Sequence, residues 1–308
     1  MTQEFDIISI GAVLVDMVSL VDDFPEKDGE VFVNKFKMLP GGAAANVAVL
    51  ASRLRLKSAF IGKIGKDHFG EYLTEDLQAE GVFIDSMVIK SDKYATGSCY
   101  VCVNNAGDRI IYAYSGAADT LTLEELPIEE ISAAKWVHLS DLRNIGAIEA
   151  LLESDLDLQF SLSPGALIAQ NPSRAYRLVE KASLVVGSQK EITKIFRCDE
   201  EEISAVTQTL RENNSAFILV ITKGSKGADI FTSQGDFSIP AFDVPVVDTT
   251  GAGDAFAAGM LYGLVKGNSP KQSATIGAAC ASICIQEVGA RSGPKNRREV
   301  RKFLRKHT

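Results

Sequence analysis

Toward the C-terminal end a short phrase, Val246-Val247-Asp248-Thr249-Thr250-Gly251-Ala252-Gly253-Asp254, runs into Ala255, Phe256, Ala258, Met260 and Leu261 at helical spacing. The pattern predicts a tight loop that opens a helix. Gly251 and Gly253 remove side chains where an anion must approach the backbone, and the N–H groups of a first helical turn lack partners within the helix. A carboxylate at 254 would repel a resting phosphate. It is well sited, however, to take the proton of an attacking hydroxyl during phosphoryl transfer. The alternative is an aspartate that caps the helix after a glycine turn, and spacing alone does not separate the two.

Other chemistry-bearing residues point away from metals and thiols. Cys99-x-x-Cys102 falls on a predicted strand, where residues three apart face opposite sides. Cys280 and Cys284 can share a helix face, but Ala279, Ala281 and Ile283 around them describe small packed residues. His68, His138 and His307 have no partner at ligand spacing. No G-x-x-x-x-G-K-[ST] stretch and no early G-x-G-x-x-G occur, which excludes a P-loop enzyme on its own motif and gives no support to a dinucleotide enzyme.

The elements that must position the 246–254 phrase are those of a doubly wound, largely parallel sheet. A first buried strand, Phe5 to Ile10, emerges at Gly11. Short antiparallel strands follow, interrupted by turn chemistry at Phe24-Pro25 and Asp28-Gly29, with a strand expected over Val31 to Phe36. From Gly41, residues Ala44, Val47, Ala48, Ala51 and Leu54 recur at helical spacing before a strand at Ser58 to Ile61 and a helix over Asp67 to Glu80. Gly97 to Val103 and Arg109 to Tyr114 flank Asn104-Asn105-Ala106-Gly107 as a hairpin. Strands at Trp136 to Leu139, Gln159 to Leu162, Leu184 to Val186 and Phe217 to Thr222 then alternate with helical segments. The expectation is one domain over 1–308, interrupted by excursions near 12–39 and 86–116 that pair as a small separate sheet.

The 246–254 phrase resembles the C-terminal signature of the ribokinase/pfkB carbohydrate kinases. Their N-terminal signature is matched by Gly41-Gly42-Ala43-Ala44-Ala45-Asn46-Val47-Ala48, followed by Gly62-Lys63-Ile64-Gly65-Lys66-Asp67 and Phe69-Gly70. The resemblance covers essentially the whole chain. It implies an ATP-dependent phosphotransferase with an alcohol group as acceptor, on a ribokinase-like α/β fold whose small β-sheet forms a lid over the substrate. It assigns Asp254 as the base that deprotonates the acceptor hydroxyl, with the N–H groups of Gly251, Ala252 and Gly253 as the anion hole. Asp16, Gly42 and Asn46 match substrate-contacting positions, a set suited to a polyhydroxylated ligand because Asp accepts, Asn both donates and accepts, and Gly exposes backbone. Taken alone, Asp16 would be a turn residue and Asn46 a polar group at a helix start.

Thr222-Lys223-Gly224-Ser225-Lys226-Gly227 resembles the family's nucleotide-binding turn, so Thr222, Lys223, Gly224 and Gly227 are expected at ATP; in isolation it is an ordinary strand-to-strand loop. Glu191 would organise water around Mg²⁺, which prefers oxygen ligands and keeps several waters. Asp248 and Thr250 are the candidates for a monovalent-cation site such as K⁺. Two departures are visible: Ser188 stands where many relatives have asparagine, and Ser163 where an acid or amide precedes Pro164-Gly165. Serine at 188 is a mark of fructokinase-like members, and the acceptor is accordingly expected to be a primary hydroxyl of a small sugar. A nucleoside kinase of the same family and a non-catalytic sugar-binding or regulatory protein are the alternatives.

Composition narrows the partners. With 32 Lys plus Arg against 40 Asp plus Glu, the 308-residue chain carries a formal charge of -8. That disfavours nucleic acid, which requires a basic face. The basic tail from Arg291 to Lys306 is expected to be a solvated final helix. No charge-free stretch reaches the roughly 18 residues of a membrane span, and the acidic start does not resemble a secretory signal. An odd number of cysteines, five, argues for reduced thiols and a cytoplasmic location. Apolar residues on the lid strands exceed what a thin sheet can bury, and a homodimer through the lid is expected.

Overall fold

The computed structural model describes residues 4–307. The chain opens with β1 (Ile7–Gly11), leaves the core as β2 (Leu14–Leu20) and β3 (Lys35–Gly41), and returns as α1 (Ala43–Arg53) and β4 (Ser58–Gly65). Next come α2 (His68–Ala79) and β5 (Val88–Ser91), then a second departure as β6 (Gly97–Val103) and β7 (Arg109–Tyr114). Alternation follows through α3 (Ile128–Ser132), β8 (Val137–Ser140), α4 (Gly146–Leu152), β9 (Phe160–Ser163), α5 (Gly165–Ile168), α6 (Pro172–Lys181), β10 (Leu184–Ser188) and α7 (Gln189–Phe196). The last stretch holds α8 (Ile203–Asn213), β11 (Ile218–Thr222), β12 (Ala228–Thr232), β13 (Gly235–Ile239), α9 (Ala252–Val265), α10 (Pro270–Cys284) and α11 (Arg297–His307).

Nine strands form the large sheet in the order β13-β12-β11-β10-β9-β8-β1-β4-β5, and the pairings from β11 to β5 are parallel. Strands covered on both faces need apolar residues at every position, which is why Ile7-Ile8 and Leu184-Val185-Val186 are continuous apolar runs. Successive residues divide between two cores: Ile8 and Val185 pack under the α4–α6 side, while Ile7, Leu184 and Val186 pack with α1, α9 and α10. The C-terminal ends of β1, β8, β9, β10 and β11 lie along one edge, the position at which open α/β sheets bind ligands.

Four strands, β3-β2-β6-β7, form the small sheet. β2 is its centre, paired antiparallel to β3 with Asp16 opposite Leu39, and parallel to β6 with Asp16 opposite Cys99. β6 and β7 form the hairpin expected from Asn104 to Gly107.

Two boundaries differ from the sequence reading. The strand expected over Val31 to Phe36 begins at Lys35 and runs to Gly41, because pairing is set from Leu14↔Gly41; Val31, Phe32 and Val33 precede it as exposed chain. Within the second excursion, Met87 is fully buried in the main core and Val88–Ser91 pairs with β4, so the lid resumes only at Gly97. Val88–Ser91 therefore belongs to the edge of the large sheet rather than to the lid. Among the described residues no helix is long and apolar enough to cross a membrane.

Candidate active site

Residues at and just beyond the strand ends line a cavity of about 310 Å³: Asp141 after β8, Ser163 at the end of β9, Ser188 at the end of β10 with Glu191 just beyond it, and Thr222 at the end of β11, with Gly253 and Asp254 opposite. A larger cavity of about 650 Å³ adjoins it, with apolar walls that include Val246, Phe242, Phe256 and Ile285. Thr222 and Gly253 line both. The two spaces therefore meet at the first turn of α9.

That turn has the form its sequence predicts. Gly251, the residue before α9, adopts φ 78, and a side chain there would fall 2.2 Å from the Ala290 carbonyl oxygen. Only glycine meets both demands. The first bond within the helix runs from Ala255 N–H to the Gly251 carbonyl at 2.9 Å. Ala252 N–H turns back to the Thr249 carbonyl at 3.2 Å, so it enters the expected anion hole already engaged. Gly253 N–H has no protein partner among the described residues, and the space beside its Cα is open.

Asp254 projects from this turn into the smaller cavity. Its Oδ2 accepts a hydrogen bond from Asn46 Nδ2 at 2.8 Å. Burial pushes its pKa up to about 7; the Asn46 bond and the Arg291 charge oppose the rise, while Asp141 and Glu191 add to it. A carboxyl poised near neutrality is suited to exchanging a proton at physiological pH.

Asn46 is itself buried on α1, one turn after Gly42, which precedes the helix. Asp16 reaches the same region from β2. Its carboxylate lies so close to Gly41 that a side chain at 41 would meet Asp16 Oδ2 at 2.3 Å. Burial raises the Asp16 pKa to about 6, against the pull of Arg291. Asn46 thus meets Asp254 from 208 positions away in sequence, while Asp16 packs at Gly41, just before α1.

Thr222, Gly224 and Gly227 line the larger cavity. Lys223 does not: its ammonium is held by Asp229 at 2.5 Å, and its N–H closes the β11–β12 turn on the Gly227 carbonyl at 2.8 Å. The segment is both a strand-to-strand loop and a cavity wall. Glu191 faces the smaller cavity from the first turn of α7, where its Oε2 accepts from Ser188 N–H at 2.8 Å. Asp248 Oδ1 accepts from both the N–H and the hydroxyl of Thr250, at 3.0 and 2.7 Å, and Oδ2 accepts from Gly289 N–H at 2.9 Å. This ties the loop before α9 to the segment after α10. Among the described residues no group of three or more His, Cys, Asp or Glu could hold a metal ion by itself.

The sequence pattern of the pfkB family carbohydrate kinases matches residues 4–297. This chain belongs to the pfkB family. It is a phosphotransferase that uses a hydroxyl acceptor. The nucleoside kinase of Methanothermobacter thermautotrophicus is 29% identical over 98% of this chain and 97% of its own length. A fructokinase of Solanum tuberosum is 30% identical over 92% of this chain and 91% of its own. The structure of Arabidopsis thaliana ribokinase complexed with ribose and ATP superposes with a TM-score of 0.82 at 23% identity, covering 98% of this chain and 99% of that one. The fold is ribokinase-like.

In this pfkB kinase two site residues lay outside the sequence reading. Asp141 follows β8 with φ 21, accepts a 2.7 Å bond from Leu167 N–H and has its pKa raised to about 6, chiefly by burial. The available signal was an aspartate immediately after a buried strand, at the sheet edge where ligands bind. Arg291, expected in a solvated basic tail, has a side chain only 7% exposed that forms an ion pair with Asp76 of α2. Neither of those two stands in a recognisable motif.

Proposed function

We propose that this pfkB kinase transfers the γ-phosphoryl group of ATP to a primary hydroxyl of a small sugar, with Mg²⁺, in the cytoplasm. The observation that carries the reading is the junction of the two cavities. There a carboxyl titrating near neutrality stands beside an unpartnered backbone N–H at a helix start. A base and an anion site at one point are what in-line phosphoryl transfer needs from a protein.

The larger cavity suits the nucleotide, with apolar walls for the base and Gly224 and Gly227 in the turn beside it. The buried Ser163 hydroxyl, on the wall of the smaller cavity, has no protein hydrogen-bond partner, as expected where a polar ligand completes the site. Mg²⁺ bound with the nucleotide would neutralise charge on the transferring phosphates, and Glu191 would hold it through water. Asp254 accepts the proton of the acceptor hydroxyl at its oxygen not bonded to Asn46. Gly253 N–H, with Gly251 and the weakly engaged Ala252, stabilises charge on the moving group. Asp16, Asn46 and the Gly42 backbone orient the acceptor. These oxygen acceptors, with Asp141 and Asp254 beside them, favour a neutral polyol over an anionic acceptor, since like charges would repel.

A nucleoside acceptor is the second reading. On the lid face that carries Asp16, the residues in register are Leu39, Cys99 and Ala113, an apolar row able to seat a base. The experiment is ATP consumption over a panel of sugars and nucleosides. Turnover with a sugar that is lost in Asp254→Asn supports the first reading. Turnover with nucleosides alone selects the second, and none with any acceptor would leave a binding protein.

The opposite lid face supports self-association. Met38, Tyr100 and Tyr112 stand in one cross-strand row at 42, 36 and 68% exposure, and Phe36 is 51% exposed. A second copy of the chain covering this sheet would bury them. Light scattering at micromolar concentration should give the mass of a dimer, and Tyr112→Glu that of a monomer. A monomeric unmodified protein would remove the proposal.

A further inference from the structure

We propose that Arg291 is a positioning residue for phosphoryl transfer: pinned by Asp76, it clamps the side-chain carbonyl of Asn46 and so aims the Asn46 amide nitrogen at Asp254. This rests on the reading of Asp254 as the base and Asn46 as an acceptor contact.

The chain of contacts is continuous. Arg291 Nε donates to Asn46 Oδ1 at 3.0 Å, and Asn46 Nδ2 donates to Asp254 Oδ2 at 2.8 Å. Arg291 Nη1 pairs with Asp76 Oδ2, and Nη2 donates to the Gly41 carbonyl at 3.4 Å, the residue against which the Asp16 carboxylate packs. The backbone of Arg291 is held as well, its carbonyl accepting from Arg53 Nη1 at 2.6 Å while Arg53 makes a two-point contact with Glu80. One guanidinium therefore touches Asn46 on α1 and the Gly41 end of β3, against which Asp16 packs.

The chemistry gives this contact a definite task. An asparagine amide has nearly the same shape when flipped, so packing alone does not decide whether its oxygen or its nitrogen faces a neighbour. With the oxygen toward Asp254, two acceptors would oppose each other and the ionised base would lose its hydrogen bond. Arginine can only donate. It accepts one orientation of Asn46, that in which the nitrogen faces Asp254, leaving the carboxylate's other oxygen for the hydroxyl. The remaining charged or titratable neighbours of Asp254, namely Asp141, Glu191 and Cys284, offer no such clamp on Asn46.

The test is a double-mutant cycle with the acceptor turned over fastest in the panel. Arg291→Met keeps length and removes the donors; Asp76→Leu is added in a second variant, so that no buried carboxylate is left without its partner. The expected result is about a 10²-fold loss in kcat/KM for the acceptor with ATP KM within about twofold, and partial recovery in Arg291→Gln, which retains an N–H donor. In an Asn46→Ala background, Arg291→Met should cost less than about threefold, because the residue it acts through is gone. Equal losses in both backgrounds, a parallel rise in ATP KM, or full activity in a folded Arg291→Met would overturn the proposal. If Arg291→Met does not fold, the Asp76→Leu double variant and Arg291→Gln decide by the same criteria. Should Asp254→Asn keep its turnover, the reading of the base fails; a dead Asp254→Asn beside a fully active Arg291→Met fails this inference alone.

Discussion

Replacing Asp254 by asparagine should abolish turnover and at the same time make the protein more stable. The carboxyl is moved from an ordinary 3.8 to about 7 in the fold, mainly because burial penalises its charge. For an acid whose folded pKa is raised, the folded state binds the proton more tightly than the unfolded chain. Stability contributed by that proton is full below the unfolded pKa and is lost as pH rises through about 7. A shift of about three units at 1.36 kcal/mol each sets the cost of ionised Asp254 at no more than about 4 kcal/mol at alkaline pH. Asparagine is nearly the same size and never ionises. Its advantage over the aspartate should therefore widen by about 2–3 kcal/mol between pH 5 and pH 8.5, roughly 3–5 °C in Tm for a chain of this length. Calorimetry of both proteins at the two pH values measures it, alongside a loss of about 10²–10⁴ in kcat. An equal Tm difference at both pH values would show that Asp254 is not desolvated as the structure has it. A kcat near normal would remove it as the base.

Since a base must be ionised to accept a proton, kcat/KM for the acceptor should rise about tenfold from pH 6 to pH 8 as Asp254 deprotonates around 7, and a flat profile would contradict this. Glu191→Gln should raise the Mg²⁺ concentration needed for half-maximal rate several-fold. The melting temperature should stay within about 1 °C, because glutamine can still accept the Ser188 N–H bond that caps α7; an unchanged metal titration counts against the metal role. Asp16→Ala should raise acceptor KM by about one to two orders of magnitude and leave ATP KM alone, since the larger cavity does not include it. Equal shifts in both KM values would move Asp16 out of the acceptor site.

What could be read from the chain in advance is what its local sequence decides. The α9 entrance was legible because glycine at 251 answers a backbone requirement, and the β6–β7 hairpin because its turn residues sit between alternating strands. β3 begins later than composition suggests for a physical reason: Val31, Phe32 and Val33 have strand composition, yet strand pairing is decided by the partner, and β2 takes Lys35 to Gly41. Val88–Ser91 follows the same rule: its composition suits a strand of either sheet, and pairing with β4 assigns it to the large one.

The site residues that escaped notice share a different cause. Between α10 and α11 lies a stretch with no chemistry of its own that joins both halves of the site. Ile285 accepts the N–H of Val247 at 2.8 Å, Gly289 donates to Asp248, Ala290 lies beneath Gly251, and Arg291 reaches Asn46. Averaged with Lys295, Arg297 and Arg298, Arg291 is one more positive charge in a basic tail, and most of that tail does form an exposed helix. Its distinction is positional: it stands before the Ser292-Gly293-Pro294 turn and therefore outside α11, held against α1 and α2 instead of facing water. A residue whose task is to hold another residue in place leaves no motif, because the constraint is a distance between segments and not a spacing along one. Motifs accordingly identify the groups proposed to meet substrate, while the groups that orient them emerge from the packing of α1, α2 and the α10–α11 connection.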